Sequence, residues 1–120
     1  MHTYKSTKTE TGIEAWPPLT ETFDIKILKG EPAQSGRVDY GSLEGPIVGG
    51  VWECTEGVFE FNYTADELAT VLEGEVRITD ASGNTESYGP GDSFHIAKGE
   101  KTVWEVVRPL RKCFIIYISG

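Results

Sequence analysis

Apolar and polar residues alternate along much of this chain, and the alternation predicts strands. Phe23, Ile25 and Ile27 share one face of a run whose other face carries Asp24 and Lys26. Phe59, Phe61 and Tyr63 likewise alternate with Glu60 and Asn62, so three aromatics project to one side. From Glu67 to Glu73 the pattern changes. Glu67, Ala69, Val71 and Glu73 fall on one face, Leu68, Thr70 and Leu72 on the other, which predicts a strand covered on both sides. Further strands are predicted at 47–54, 75–79, 85–88, 93–97, 102–107 and 112–118. The connections carry turn chemistry: Thr55-Glu56-Gly57, Glu73-Gly74, Asp80 to Asn84, Gly89-Pro90-Gly91-Asp92, Lys98-Gly99-Glu100 and Arg108-Pro109-Leu110.

No stretch long enough for a core helix has helical periodicity free of Gly or Pro. Eight or more short strands therefore predict an all-β sandwich or small barrel. Residues 33–46 are polar and Gly-rich, anchored by Val38, Tyr40 and Leu43, with a turn signal at Gly45-Pro46 and no strand predicted. Residues 1–22 read as an N-terminal arm. Its first fifteen residues lack periodicity and are expected to be mobile, and Trp16-Pro17-Pro18 favours an extended segment. The barrel domain is expected over 23–120.

Composition narrows the function classes. At 120 residues the chain is one domain, able to bury a core without staples. Its net charge is −8, with ten acids against five bases in residues 1–60 and nine against six in 61–120. Neither half is basic, which argues against nucleic acid and anionic membranes as partners. No apolar run reaches the length of a membrane span, and the N-terminus lacks an apolar signal core, so a cytoplasmic protein is expected. Cys54 and Cys113 lie among apolar neighbours without metal-site spacing, and are expected to be reduced and unreactive.

Two blocks of sequence carry a family resemblance. Glu67-x6-Gly74, with Gly57 upstream, resembles the second half of the first cupin motif, G-x5-H-x-H-x3–4-E-x6-G. Phe61 and Tyr63 stand where that motif has its two histidines. Gly91 and Gly99 match the second motif, G-x5-P-x-G-x2-H-x3-N, but Ala97 replaces its proline, Thr102 its histidine and Val106 its asparagine. Residues 23–118 thus resemble a cupin, which implies a single-domain jelly-roll β-barrel of RmlC-like type. More narrowly, W-E-C-T-E-G, Y-T-A-D-E-L, V-L-E-G-E-V-R-I-T-D and G-P-G-D-S-F look like the small (S)-ureidoglycine aminohydrolase-like cupins.

The resemblance frames the chemistry. A cupin metal site gathers imidazoles and a carboxylate, and here only Glu67 matches. His2 lies in the arm and His95 outside both ligand positions, so no metal and no other cofactor is expected. Glu67 is the candidate catalytic carboxylate if it faces an aromatic interior, and a structural one if Tyr63 or Thr102 hydroxyls tie it down. Trp52 and Trp104 are either core or stacking platforms for a planar ligand. His95 is either a solvated strand residue or an acid–base group at the barrel mouth. Arg108, Arg111 and Lys112 read as a solvated basic strand end, with an anion site as the alternative.

No Ser, Cys or phosphate-loop motif for nucleophilic catalysis is present. Three readings follow. The first is a metal-independent small-molecule-binding cupin with a pocket of Trp52, Phe61, Tyr63, Glu67, His95, Thr102 and Trp104. The second is an enzyme of the ureidoglycine aminohydrolase-like kind, acting on a small ureido, amine or sugar-derived compound. The third is a structural subunit with a filled barrel. Exposed sheet edges and the usual pairing of small cupins imply a homodimer.

Overall fold

The computed structural model describes residues 1–118, which form nine strands and one short helix. The strands are β1 (Glu14–Ala15), β2 (Ile25–Lys29), β3 (Gln34–Gly41), β4 (Ile47–Cys54) and β5 (Gly57–Asn62), then β6 (Asp66–Thr79), β7 (Thr85–Tyr88), β8 (Ser93–Ile96) and β9 (Lys101–Tyr117). The helix α1 is a single turn, Leu19–Thr22.

Two long strands, β6 and β9, hold the molecule together. They pair antiparallel over most of their length, from Asp66↔Tyr117 to Thr79↔Val103. The register slips three times between Val71 and Val76, and there both strands bend. On one side of the bend β6 and β9 continue into β8 and into β4-β3-β1, and on the other into β7 and into β5-β2. The two halves fold over one another as the facing layers of a jelly roll.

Gly74 explains the bend. Its φ is +87°, and a Cβ there would stand 2.0 Å from the carbonyl oxygen of Pro109. Only glycine brings the two kinked backbones so close. Pro109 lacks the N–H that a regular ladder would use, and it occupies the kink of β9 for that reason. The predicted turns at Glu73-Gly74 and at Arg108 to Leu110 are therefore bends within continuous strands of 14 and 17 residues.

The inner faces meet in one core. Phe59 and Trp104 are fully buried and stacked, with ring centroids 5.9 Å apart, and Trp52 and Phe94 meet Trp104 edge-on. Phe61 stacks on Tyr63 at 4.2 Å. The register explains the set, because Phe59↔Trp104 and Phe61↔Thr102 are direct cross-strand pairs.

Three expectations change. β6 is covered on one face only in its first half, since Leu68 is 53% exposed while Glu67 and Ala69 are buried. The register slip after Val71 then reverses its phase, so Val71 and Leu72 are both buried. Residues 34–41 form a full strand against β4, where Tyr40 lies over Gly49. The N-terminal arm is docked. Arg37 pairs with Glu10 and Asp39 and donates to the carbonyl of Thr11, and Tyr4 Oη donates to Asp39 at 2.5 Å. The arm thereby lies beside Leu72 on the outer face. Among the described residues no helix is long and apolar enough to cross a membrane.

Candidate functional site

Tyr63, Glu67 and Lys112 come together inside the barrel. Tyr63 follows β5, Glu67 is the second residue of β6, and Lys112 lies past the kink of β9. Tyr63 Oη donates to Glu67 Oε1 at 2.6 Å, and Lys112 Nζ donates to Glu67 Oε2 at 2.5 Å. The side chains of Lys112 and Glu67 are only 4% and 3% exposed. Lys112 Nζ also stands 4.7 Å from the ring centroids of both Trp52 and Trp104, and 5.7 Å from that of Phe94. The ammonium thus has a carboxylate on one side and aromatic faces on the others, which offsets the loss of its hydration.

The surrounding polar groups are matched as well. Thr102 Oγ1 donates to the carbonyl of Phe61 and accepts from Trp104 Nε1. Trp52 Nε1 donates to Gln34 Oε1, and Gln34 Nε2 donates to Pro17 O and Thr22 Oγ1. Gln34 therefore ties the wall behind Lys112 to the Trp16–Phe23 segment that roofs it.

Two openings reach the interior. A cavity of ≈ 140 Å³ leads to Glu67 and Tyr63 between Thr22, Phe23, Leu43, Val48, Phe61 and Ile116. It narrows toward Lys112 to a space of ≈ 20 Å³, walled by Trp16, Trp52 and Phe114. A second opening of ≈ 510 Å³ lies between β7 and β8, over Ile78, Tyr88, Phe94 and Thr102, and Asp80, Glu86 and Glu100 stand on its rim.

The sequence-predicted residues divide between these openings. Phe61, Tyr63 and Glu67 sit at the first, with Trp52 and Trp104 forming the box around Lys112. Thr102 faces the second, tied by its two hydrogen bonds. His95 pairs with Leu68 across the β6–β8 ladder and is exposed at the rim of the second opening, away from the Glu67 cluster. Glu67 faces the aromatic interior, where the Tyr63 hydroxyl and the Lys112 ammonium hold its two oxygens. The reading of Lys112 as a solvated strand end is corrected, since Lys112 is buried, while Arg108 is exposed and pairs with Glu75. A signal for Lys112 was present. It stands in phase with Leu110, Phe114 and Ile116, all of which face inward.

Burial raises the Tyr63 hydroxyl well above its ordinary pKa, helped by the Glu67 carboxylate beside it. Burial likewise pushes the Cys54 thiol up to about 12, and it raises Cys113, which donates weakly to Thr70 O. These groups hold their protons more tightly in the folded chain than in the unfolded one. The stability they contribute is complete below pH 9.0, the ordinary thiol value, and is lost as pH rises toward 12. Urea denaturation at pH 8 and pH 11 should show a lower midpoint at pH 11, and Cys54→Ala should reduce the difference.

The cluster does not fit a cupin metal. Of the four ligand positions, Phe61 offers no donor, Thr102 is engaged, and the Tyr63 hydroxyl is protonated and donates a hydrogen bond to Glu67. The remaining carboxylate oxygen already holds an ammonium. Among the described residues no three His, Cys, Asp or Glu side chains converge.

Residues 41–114 match the profile of the EutQ-like cupin domain. The chain belongs to the EutQ-like cupin family. Among solved structures, the Clostridium difficile EutQ protein is similar at 24% identity, with 72% of this chain and 69% of that chain covered and a TM-score of 0.63. A DUF861-family protein from Thermotoga maritima is 30% identical over 56% of this chain and 76% of its own, with a TM-score of 0.54. A DUF861-family protein of unknown function from Pseudomonas syringae gives 0.76 at 17% identity and covers 94% of this chain. This chain spans about half the length of the Pseudomonas protein (46%). No curated protein matches the sequence. For this EutQ-like cupin the likenesses support the jelly-roll fold expected from the motifs.

Proposed function

We propose that this EutQ-like cupin binds a small, largely apolar, uncharged molecule at Glu67 without a metal. The observation that carries the reading is the Tyr63–Glu67–Lys112 cluster at the foot of an apolar cavity. Each carboxylate oxygen has two acceptor sites, and the cluster uses one on each. The carboxylate thus still accepts an N–H or O–H from a ligand. The pair with Lys112 is net neutral, so neither cations nor anions gain from entering. A cavity of about 150 Å³ holds a molecule of benzene size, and the ≈ 140 Å³ here sets a similar limit. Small alcohols, amides and ureas that carry an alkyl group fit this description. A thermal-shift screen of such compounds should raise the melting temperature of the wild type and leave Leu43→Trp, which narrows the mouth, unmoved. Equal shifts in both proteins would sink the reading.

A second reading is an enzyme of the ureidoglycine aminohydrolase-like kind. It is favoured by the three proton-carrying groups in contact at the end of the cavity. Ammonia release from a small ureido compound, abolished in Glu67→Gln, is the result it expects, and binding without turnover ends it. The homodimer is likewise a proposal. It is supported by the open edges of β2, β7 and β8 and by Tyr40, Leu68, Ile115 and Tyr117 exposed on the β1-β3-β4-β9-β6-β8 layer. Light scattering should give twice the chain mass at micromolar concentration, and the monomer mass would refute it.

A further inference from the structure

Lys112 is a primary amine enclosed by carbon, and binding alone gives it no task beyond balancing Glu67. We propose that Lys112 captures small uncharged aldehydes or ketones as a covalent iminium inside the barrel. The proposal rests on the reading of the Glu67 cavity as a ligand site and adds a chemical step to it.

Several features of the site match what the step requires. The amine must first give up a proton, and Glu67 Oε2 accepts its hydrogen bond at 2.5 Å. That transfer leaves a neutral amine facing a neutral carboxyl group. The free amine then adds to the carbonyl carbon, forming a C–N bond and breaking the C=O π bond. The oxygen takes up the proton held on Glu67 and becomes a hydroxyl. The carbinolamine must next lose that hydroxyl as water. The nitrogen lone pair expels it while a proton returns from the nitrogen by way of the carboxylate, whose other oxygen is held by the Tyr63 hydroxyl at 2.6 Å. The balance is one ammonium and one carbonyl compound giving one protonated imine and one water, with no oxidant or reductant.

The product is a cation in the place of the ammonium. Trp52 and Trp104, whose centroids lie 4.7 Å from Nζ, face it as they face the lysine. Burial also shields the imine from hydrolysis by bulk water. Size and charge select the substrate. The free space beside Lys112 is ≈ 20 Å³, room for about one water-sized group, so only a carbonyl group fits there while the few carbons of its chain stay in the wider cavity at Glu67. A keto acid would bring a carboxylate against Glu67 with no further cation to receive it.

The test is reductive trapping. The protein is incubated with propanal and sodium cyanoborohydride, digested, and mapped by mass spectrometry. Lys112 should gain one propyl group about tenfold faster than the exposed Lys26, Lys29, Lys98 and Lys101. Lys112→Arg, which keeps the charge and cannot form the imine, should lose the fast phase while circular dichroism shows the same β signal. If that variant fails to fold, labelling of wild-type Lys112 competed by a saturating non-carbonyl alcohol ligand serves instead, with a loss of at least about tenfold expected. Labelling at Lys112 no faster than at the exposed lysines overturns the proposal. The thermal shifts with alcohols and ureas would survive that outcome, so failure of the covalent step is distinguishable from failure of the binding site.

Discussion

Replacing Lys112 with methionine should destabilise the protein by about 3–5 kcal/mol, because it leaves a buried carboxylate without its counter-charge. Both partners are nearly inaccessible, and solvent does little to compensate either one. The loss is a large share of the total stability of a domain this size. The double variant Lys112→Met with Glu67→Gln should recover most of it. Glutamine keeps an acceptor for the Tyr63 hydroxyl, and methionine fills the space between Trp52 and Trp104. Urea unfolding of the two single variants and the double variant checks this. Additive losses would mean that the pair is not coupled, contrary to the hydrogen bond between them.

Trp104→Ala should cost about 3–5 kcal/mol for a different reason, the cavity left by a large side chain. Trp104 is fully buried, stacks on Phe59, meets Trp52 and Phe94 edge-on, and donates to Thr102. It also faces Lys112, so its removal weakens the box around the ammonium. Trp104→Phe keeps most of the volume and should lose less than half as much. Calorimetry on the two variants separates these expectations, and equal losses would shift the weight from cavity formation to the indole hydrogen bond.

Much of the fold was legible because period-two alternation reports directly on which face is inside. The phases of Phe59-Phe61-Tyr63 and of Phe94-Ile96 are those of the buried face. The Glu67-x6-Gly74 spacing marked Glu67, which is buried. What was not legible comes from non-local pairing. β3 is polar and Gly-rich, and it is a strand because β4 supplies hydrogen bonds along its length. The kinks of β6 and β9 look like turns locally, since Gly and Pro break a ladder in either setting.

The site divides in the same way. Tyr63 and Glu67 lie four residues apart, so a short-range reading brings them together. Lys112 is 45 residues from Glu67 and carries the type of side chain normally found outside. Next to Arg108 and Arg111 it looked like part of a basic surface. Only its phase with Leu110 and Phe114 placed it inside. His95 shows the converse. A histidine invites a chemical role, but Phe94 and Ile96 claim the inner face of β8 and leave it outside.

Glu67, with Lys112 beside it and no metal, is proposed to read the ligand. Ligand-observed NMR with a small alcohol or urea identified by thermal shift tests it most directly, using protein dialysed against a chelator and compared with Glu67→Gln. Saturation transfer is predicted to persist without metal in the wild type and to vanish in the variant. Transfer that appears only when a divalent metal is restored, or that is equal in both proteins, would contradict it.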